Sequence, residues 1–222
     1  MGLLLACAIA ALIFFGPMRQ DETYHAFADQ RTLAGIPNFW NVISNLPFAL
    51  IGAIGWSRAR SGAARILFVG VFLTAFGSAY YHWAPDNARL LWDRLPMTVV
   101  FMTLFTMVLA ERFPRSIQLL GPLVVIGIAS VLYWQWTGDL RPYVLVQFAP
   151  MVIIPMLMLL LPKTNELWWV ILLYGLAKIA EAQDARIYSV FFLSGHTLKH
   201  LLSAAATWMM LRWRGAVRED SA

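Results

Sequence analysis

Three of the four histidines stand where metal chemistry would need them. His196 and His200 are four residues apart in a stretch that reads as helix, which puts both imidazoles on one face. Two imidazoles so placed can share a metal ion. Taken alone His-x3-His is a weak sign, because polar side chains inside a helix bundle also serve to hydrogen-bond neighbouring helices. A second cluster adds weight. Ser78 and His82 are again four apart, and Asp93 follows across a short polar stretch. Three histidines with an open fourth position is the catalytic form of a zinc site. The candidate metal ligands are therefore His82, His196 and His200, with the Asp93 carboxylate and the Ser78 hydroxyl at the same membrane depth. The fourth histidine, His25, reads as a loop or interfacial residue.

The elements that must position these groups are membrane helices. Of 222 residues, 60% are hydrophobic and 13% charged, and the mean hydropathy is +0.64. Soluble domains carry about 25% charged and about 45–50% apolar residues. A span takes about 20 apolar residues, so there is room for roughly seven or eight. The runs predict helices near Leu3–Phe15, Phe39–Trp56, Ala64–Trp83, Leu95–Ala110, Gln118–Trp136, Tyr143–Leu161, Leu167–Ala180 and Phe191–Trp213. Breakers such as Gly16-Pro17, Gly35-Ile36-Pro37 and Ala84-Pro85-Asp86-Asn87 separate them. The expected fold is all-α: a polytopic helix bundle forming one transmembrane domain over residues 1–222. Its core is expected at 38–213, with 1–17 an extra N-terminal helix or, less favoured, a cleaved signal.

Other classes are excluded by the same composition. The single Cys7 rules out an intramolecular disulfide framework and a cysteine-rich zinc site. Leu4-Leu5-Ala6-Cys7 looks like a lipidation box, but no Lys or Arg precedes it. A net charge of +5 would suggest nucleic acid in a soluble domain; here basic cytoplasmic connectors account for it, and no nucleic acid partner is expected. With an even number of spans starting in the cytoplasm, nine of the 17 Lys and Arg, among them Arg58, Arg112 and Arg212, fall on the cytoplasmic side. Six, among them Arg19 and Arg141, fall outside, with most acids. That assignment puts the C-terminus in the cytoplasm and the histidines toward the outer face, in a cell inner membrane.

Three motifs then carry a resemblance. Gly77-Ser78-Ala79-Tyr80-Tyr81-His82, Leu91-Trp92-Asp93-Arg94-Leu95-Pro96-Met97 and Gly195-His196-Thr197-Leu198-Lys199-His200 resemble the signature of the alkaline ceramidase family. Phe39-Trp40-Asn41-Val42-Ile43-Ser44-Asn45-Leu46 is similar to the start of that family's first core helix. The wider superfamily includes the adiponectin receptors. The resemblance implies a seven-helix core that binds Zn2+ through His82, His196 and His200, with Asp93 and Ser78 around the metal's water. Zinc lowers the pKa of bound water to about 7. Asp93 would take its proton, Ser78 would stabilise the oxyanion, and a ceramide-like lipid would yield a sphingoid base and a fatty acid.

One departure stands out. The eukaryotic members carry an acid-rich calcium-binding stretch ending in Glu just before Phe-Trp-Asn, whereas this chain has Asn38 there and one acid in residues 29–35. Calcium wants six to eight oxygens, several of them charged, so Ca2+ is a doubtful cofactor here. Among the other polar residues, Lys178 and Glu181 are expected to pair with each other, and Asp184 and Arg186 to lie in a loop near the site. Lys199 is expected to snorkel to the surface or to orient a lipid headgroup. An esterase or phospholipase acting on a glycerolipid, and a receptor or scaffold with structural zinc, fit the same residues. Each reading has a membrane lipid and the bilayer as partners, and none sets the oligomeric state.

Overall fold

The computed structural model describes residue 14, residues 16–163 and residues 165–213. The predicted helix Leu3–Phe15 and the question of a signal thus lie almost wholly outside the described residues. Within the described residues the chain is all-α. A strap over residues 16–37 holds one 3-10 turn, Glu22–His25. Nine α-helices follow: α1 Phe39–Ile43, α2 Leu46–Arg58, α3 Gly62–Trp83, α4 Asn87–Arg112, α5 Leu120–Thr137, α6 Arg141–Leu160, α7 Glu166–Ala182, α8 Asp184–Val190 and α9 Gly195–Met210. Among the described residues five segments are long and apolar enough to cross a membrane: Phe39–Arg58, α3, α4, Pro114–Thr137 and α6. The other two expected spans, α7 and α9, are 17 and 16 residues long and pack against each other in the same bundle.

Local chemistry sets these boundaries. The side chains of Ser61, Asp86 and Ser194 cap α3, α4 and α9 by accepting from the amides of Ala64, Arg89 and Thr197. The first predicted core span is broken at Ser44-Asn45. Pro47, with no N–H to give, then sits in the first turn of α2. α4 begins at Asn87, eight residues before the apolar run that predicted it. Its first turns are polar, so hydropathy misses them, while the Asp86 cap marks the true start. Asp93 therefore lies nearly two turns inside a helix, not at its beginning.

Small residues let the helices approach. A Cβ on Gly77 would fall 2.1 Å from the Trp92 carbonyl oxygen, so α3 and α4 touch there backbone to backbone. A Cβ on Gly195 would meet the Ala180 carbonyl oxygen at the same distance, which seats the start of α9 against the end of α7. Between these contacts the end of α3, the starts of α4 and α9 and the end of α7 gather at one end of the bundle. At the opposite end the Trp213 indole donates to Glu111 at 3.2 Å, tying the foot of α9 to that of α4.

The strap is stitched over the first of these ends. The Met18 amide donates to Asp139 at 3.2 Å, and the Leu140 amide to the Met18 carbonyl at 2.7 Å. Arg141 holds the Asp139 carboxyl down to about 2 through its side-chain hydrogen bonds, so this anchor stays charged. Further along, the Ala28 amide donates to Asp184 at 2.9 Å, and Asn41 donates to the Asp29 carbonyl at 3.3 Å.

Candidate metal and active site

His82 lies one residue from the end of α3, and His196 and His200 occupy the first two turns of α9. All three are buried, and each offers a ring nitrogen within 4.8 Å of the others. The Nε2 atoms of His82 and His196 are 3.3 Å apart. In a tetrahedron with Zn–N bonds of 2.0–2.1 Å, two ligand nitrogens stand about 3.3–3.4 Å apart. His200 is oriented from behind. Its Nδ1 is 2.7 Å from the Ser44 hydroxyl, which itself donates to the Asn41 carbonyl at 3.3 Å. Ser44 thus accepts from Nδ1–H and leaves the Nε2 lone pair of His200 free. Buried lone pairs that converge in this way suit a cation, and the donor set of three imidazoles suits zinc. The triad could hold a metal ion.

Asp93 and Ser78 come to the same place from the helices that meet at Gly77. Both are buried and line the same cavity. Asp93, Ser78 and His200 line a cavity of about 560 Å³, within the range of small-molecule sites. Its polar end also holds Lys178, Glu181 and Lys199; the rest is mostly apolar, running past Phe48, Val100, Ile154 and Leu167 to Met210. The α9 residues that line it span Lys199 to Met210, about 16 Å at 1.5 Å per residue.

Several polar residues behave differently from expectation. Lys178 and Glu181 do pair, but Glu181 is shared: its other oxygen is 3.0 Å from Lys199 Nζ. Lys199 does not snorkel outward. It is turned inward, with Nζ also 3.0 Å from His196 Nε2. Asp184 is no free loop residue, since it starts α8 and accepts from the His196 amide at 2.7 Å as well as from Ala28. That carboxylate clips both the start of α9 and the strap. Arg186 stands in the same short helix and donates to Gln183 at 3.1 Å. His25 lies in the strap's 3-10 turn, bonded to the Tyr81 hydroxyl at 2.8 Å and Asn87 at 3.2 Å.

The strap is what reading by motif missed. Phe27 lies against the rings of His82 and His196, with centroids 4.7 and 4.4 Å away, and covers the histidines with an apolar ring. Ser44 was also missed as an orienting group, although a lone hydroxyl inside an apolar run was the signal for it. Asn38 is placed beside the histidines. It adopts a left-handed conformation with φ 47° and donates to the His82 carbonyl at 2.9 Å.

Fold and site together define a membrane helix bundle with a buried three-histidine centre at the head of an apolar cavity. The family model described as Ceramidase matches residues 31–214, most of the chain, and the protein belongs to that family. Membership supports a ceramidase-type hydrolase acting on an amide bond of a lipid. No curated protein matches the chain.

Proposed function

We propose that this protein is a zinc-dependent amidase of the membrane that cleaves a ceramide-like lipid into a sphingoid base and a fatty acid. His82, His196 and His200 would hold the metal, with Asp93 as proton carrier and Ser78 as oxyanion donor. One observation carries the reading: His200 of the histidine cluster lines a mostly apolar cavity together with Asp93 and Ser78. Zinc in that triad would supply Lewis acidity and a water acidic enough to react near neutral pH. Asp93 accepts the proton of the attacking water and returns it to the leaving amine. The Ser78 hydroxyl donates to the carbonyl oxygen as negative charge grows there. Lys199, fixed by Glu181, keeps positive charge at the same end. The apolar walls take a lipid chain and exclude water. Calcium has no part in this reading, since Asn38 stands where the eukaryotic members carry Glu and brings no charge.

The deciding variant is Asp93→Asn, which keeps the shape of the side chain and removes its basicity. It should retain near-stoichiometric zinc while turnover on lipid amides falls by roughly 10²–10⁴. Intact zinc with unchanged turnover would remove Asp93 from the mechanism. A wild-type protein that cleaves no member of a panel of lipid amides and esters would leave a scaffold in its place.

The basic bias of the connectors opposite the histidine end supports a cytoplasmic C-terminus and a site facing away from the cytoplasm. A reporter active only in the cytoplasm and fused after Ala222 should work. Success of a periplasmic reporter at that position would invert the orientation.

A further inference from the structure

Arg94 follows Asp93 and has no part in the mechanism above. It is buried, 6% exposed, and lines the cavity at its polar end. Its guanidinium is caged by aromatic rings, 4.3 Å from the centroid of Trp134 and 4.6 Å from that of Tyr143. Such faces stabilise a cation removed from water. They do not satisfy its hydrogen bonds. Nη2 donates to Gln20 in the strap at 2.7 Å, whereas Nη1 is buried with no hydrogen-bond partner. No salt bridge to Arg94 exists among the described residues. A buried guanidinium donor without an acceptor is among the costliest groups to leave unpaired. Its placement at the wall of a cavity marks where a ligand's acceptor belongs.

The charges around that end have one sign in excess. Lys178 and Lys199 share Glu181, Asp93 stands beside Ser78, and Arg94 is the third cation against two carboxylates. A planar fork with a free N–H is the group that recognises the oxygens of phosphate, sulfonate or carboxylate. From Arg94 the cavity then passes into apolar walls long enough for an alkyl chain.

We propose that Arg94, braced by Gln20 and its aromatic cage, is the subsite for an anionic headgroup, so that the lipid bound here carries a negatively charged oxyanion group at its polar end. The assignment deepens the amidase reading by naming the substrate class, and its test is a binding measurement that does not need the amide to be cleaved. The occupant is a lipid headgroup and not a free anion, because the same cavity supplies the apolar length for a tail.

Binding of three probes to the zinc-loaded protein in nonionic detergent can be followed by its tryptophan fluorescence, Trp134 being against the guanidinium. The probes are hexadecyl phosphate, hexadecanol and inorganic phosphate. Hexadecyl phosphate should bind at least tenfold more tightly than hexadecanol, and inorganic phosphate should compete only weakly. Arg94→Gln should erase the difference between the two amphiphiles. Equal binding of both by the wild type, or an undiminished preference in Arg94→Gln, would overturn the subsite. Inorganic phosphate binding as tightly as hexadecyl phosphate would overturn the lipid assignment. Should Arg94→Gln fail to fold, Arg94→Lys keeps the charge and loses the fork. It should lower the preference severalfold, and a full preference there would count against recognition by the guanidinium. Failure of the amidase reading would appear separately, as anion-selective binding in a protein that cleaves no lipid amide.

Discussion

α4 and α5 are neighbours, yet they are built on opposite plans. In α4, 61% of the most apolar window is buried within the protein; in the segment Pro114–Thr137 that contains α5 the share is 17%, although this segment is the more apolar. α4 turns Asp93, Arg94, Thr98, Thr103 and Thr106 inward. α5 leaves Val125, Ile126 and Trp136 exposed. In water the apolar helix would be the buried one. In lipid the surplus of apolar surface faces out, and the inside is where polar groups find partners and do chemistry. Burial and apolarity therefore part company here, and a buried polar residue says more about function than any count of leucines.

The comparison predicts where substitution is felt. Emptying the inward polar set should have the largest effect. His200 is held by Ser44 on one side and faces His82 and His196 on the other. His200→Ala, or His196→Ala, should lose most of its zinc and bring amide hydrolysis to background, as read by metal analysis beside activity. Full zinc in both variants would refute the ligand assignment and leave the buried histidines a packing role.

The same contrast explains how much was legible beforehand. The apolar runs placed α3, α5, α6 and α7 within a few residues, because a lipid-facing surface demands continuous apolarity. They failed at the start of α4 and at the break between α1 and α2, where the determinants are the Asp86 cap, and Ser44 and Pro47. Spacing and motif pointed to His82, His196, His200, Asp93 and Ser78, and the fold brings all five to one end of the bundle. Helical spacing survives folding, so a pair four apart stays a pair. What could not be read were the contacts made across the chain. Asp184 reaching back to Ala28, Phe27 closing over the histidines, and Glu181 joining Lys199 to Lys178 all depend on how distant segments pack. Lys199 shows the cost of a local rule: snorkelling is the usual course for a lysine near a helix end, but a half-buried carboxylate partner outweighs it.

Two glycines sharpen the contrast, one on each plan. Gly77 stands where α3 meets α4, and an added Cβ would lie 2.1 Å from the Trp92 carbonyl oxygen and 2.8 Å from its carbonyl carbon. Those are backbone atoms, which cannot swing aside. Gly77→Ala must therefore push the two helices apart, a strain of about 1–3 kcal/mol. The displacement falls between Ser78 and Asp93, so activity should drop further than stability does, since a shift of about 1 Å at a reacting centre can cost 10²-fold in rate. Gly121, in the first turn of α5, has nothing within 4 Å of the same added atom. There the methyl meets no protein neighbour, and the helix gains from a residue less flexible than glycine. Gly121→Ala should stay within about 1 kcal/mol of neutral, on the stabilising side, with turnover and zinc content unchanged. Thermal denaturation in detergent beside lipid-amide hydrolysis reads both variants at once. Comparable losses in the two would mean that α5 is gripped as closely as α4, and that its apolar face meets protein instead of lipid. A silent Gly77→Ala would mean that Ser78 and Asp93 do not depend on the close approach of their helices, and the site would then have to be positioned by the strap and α9 alone.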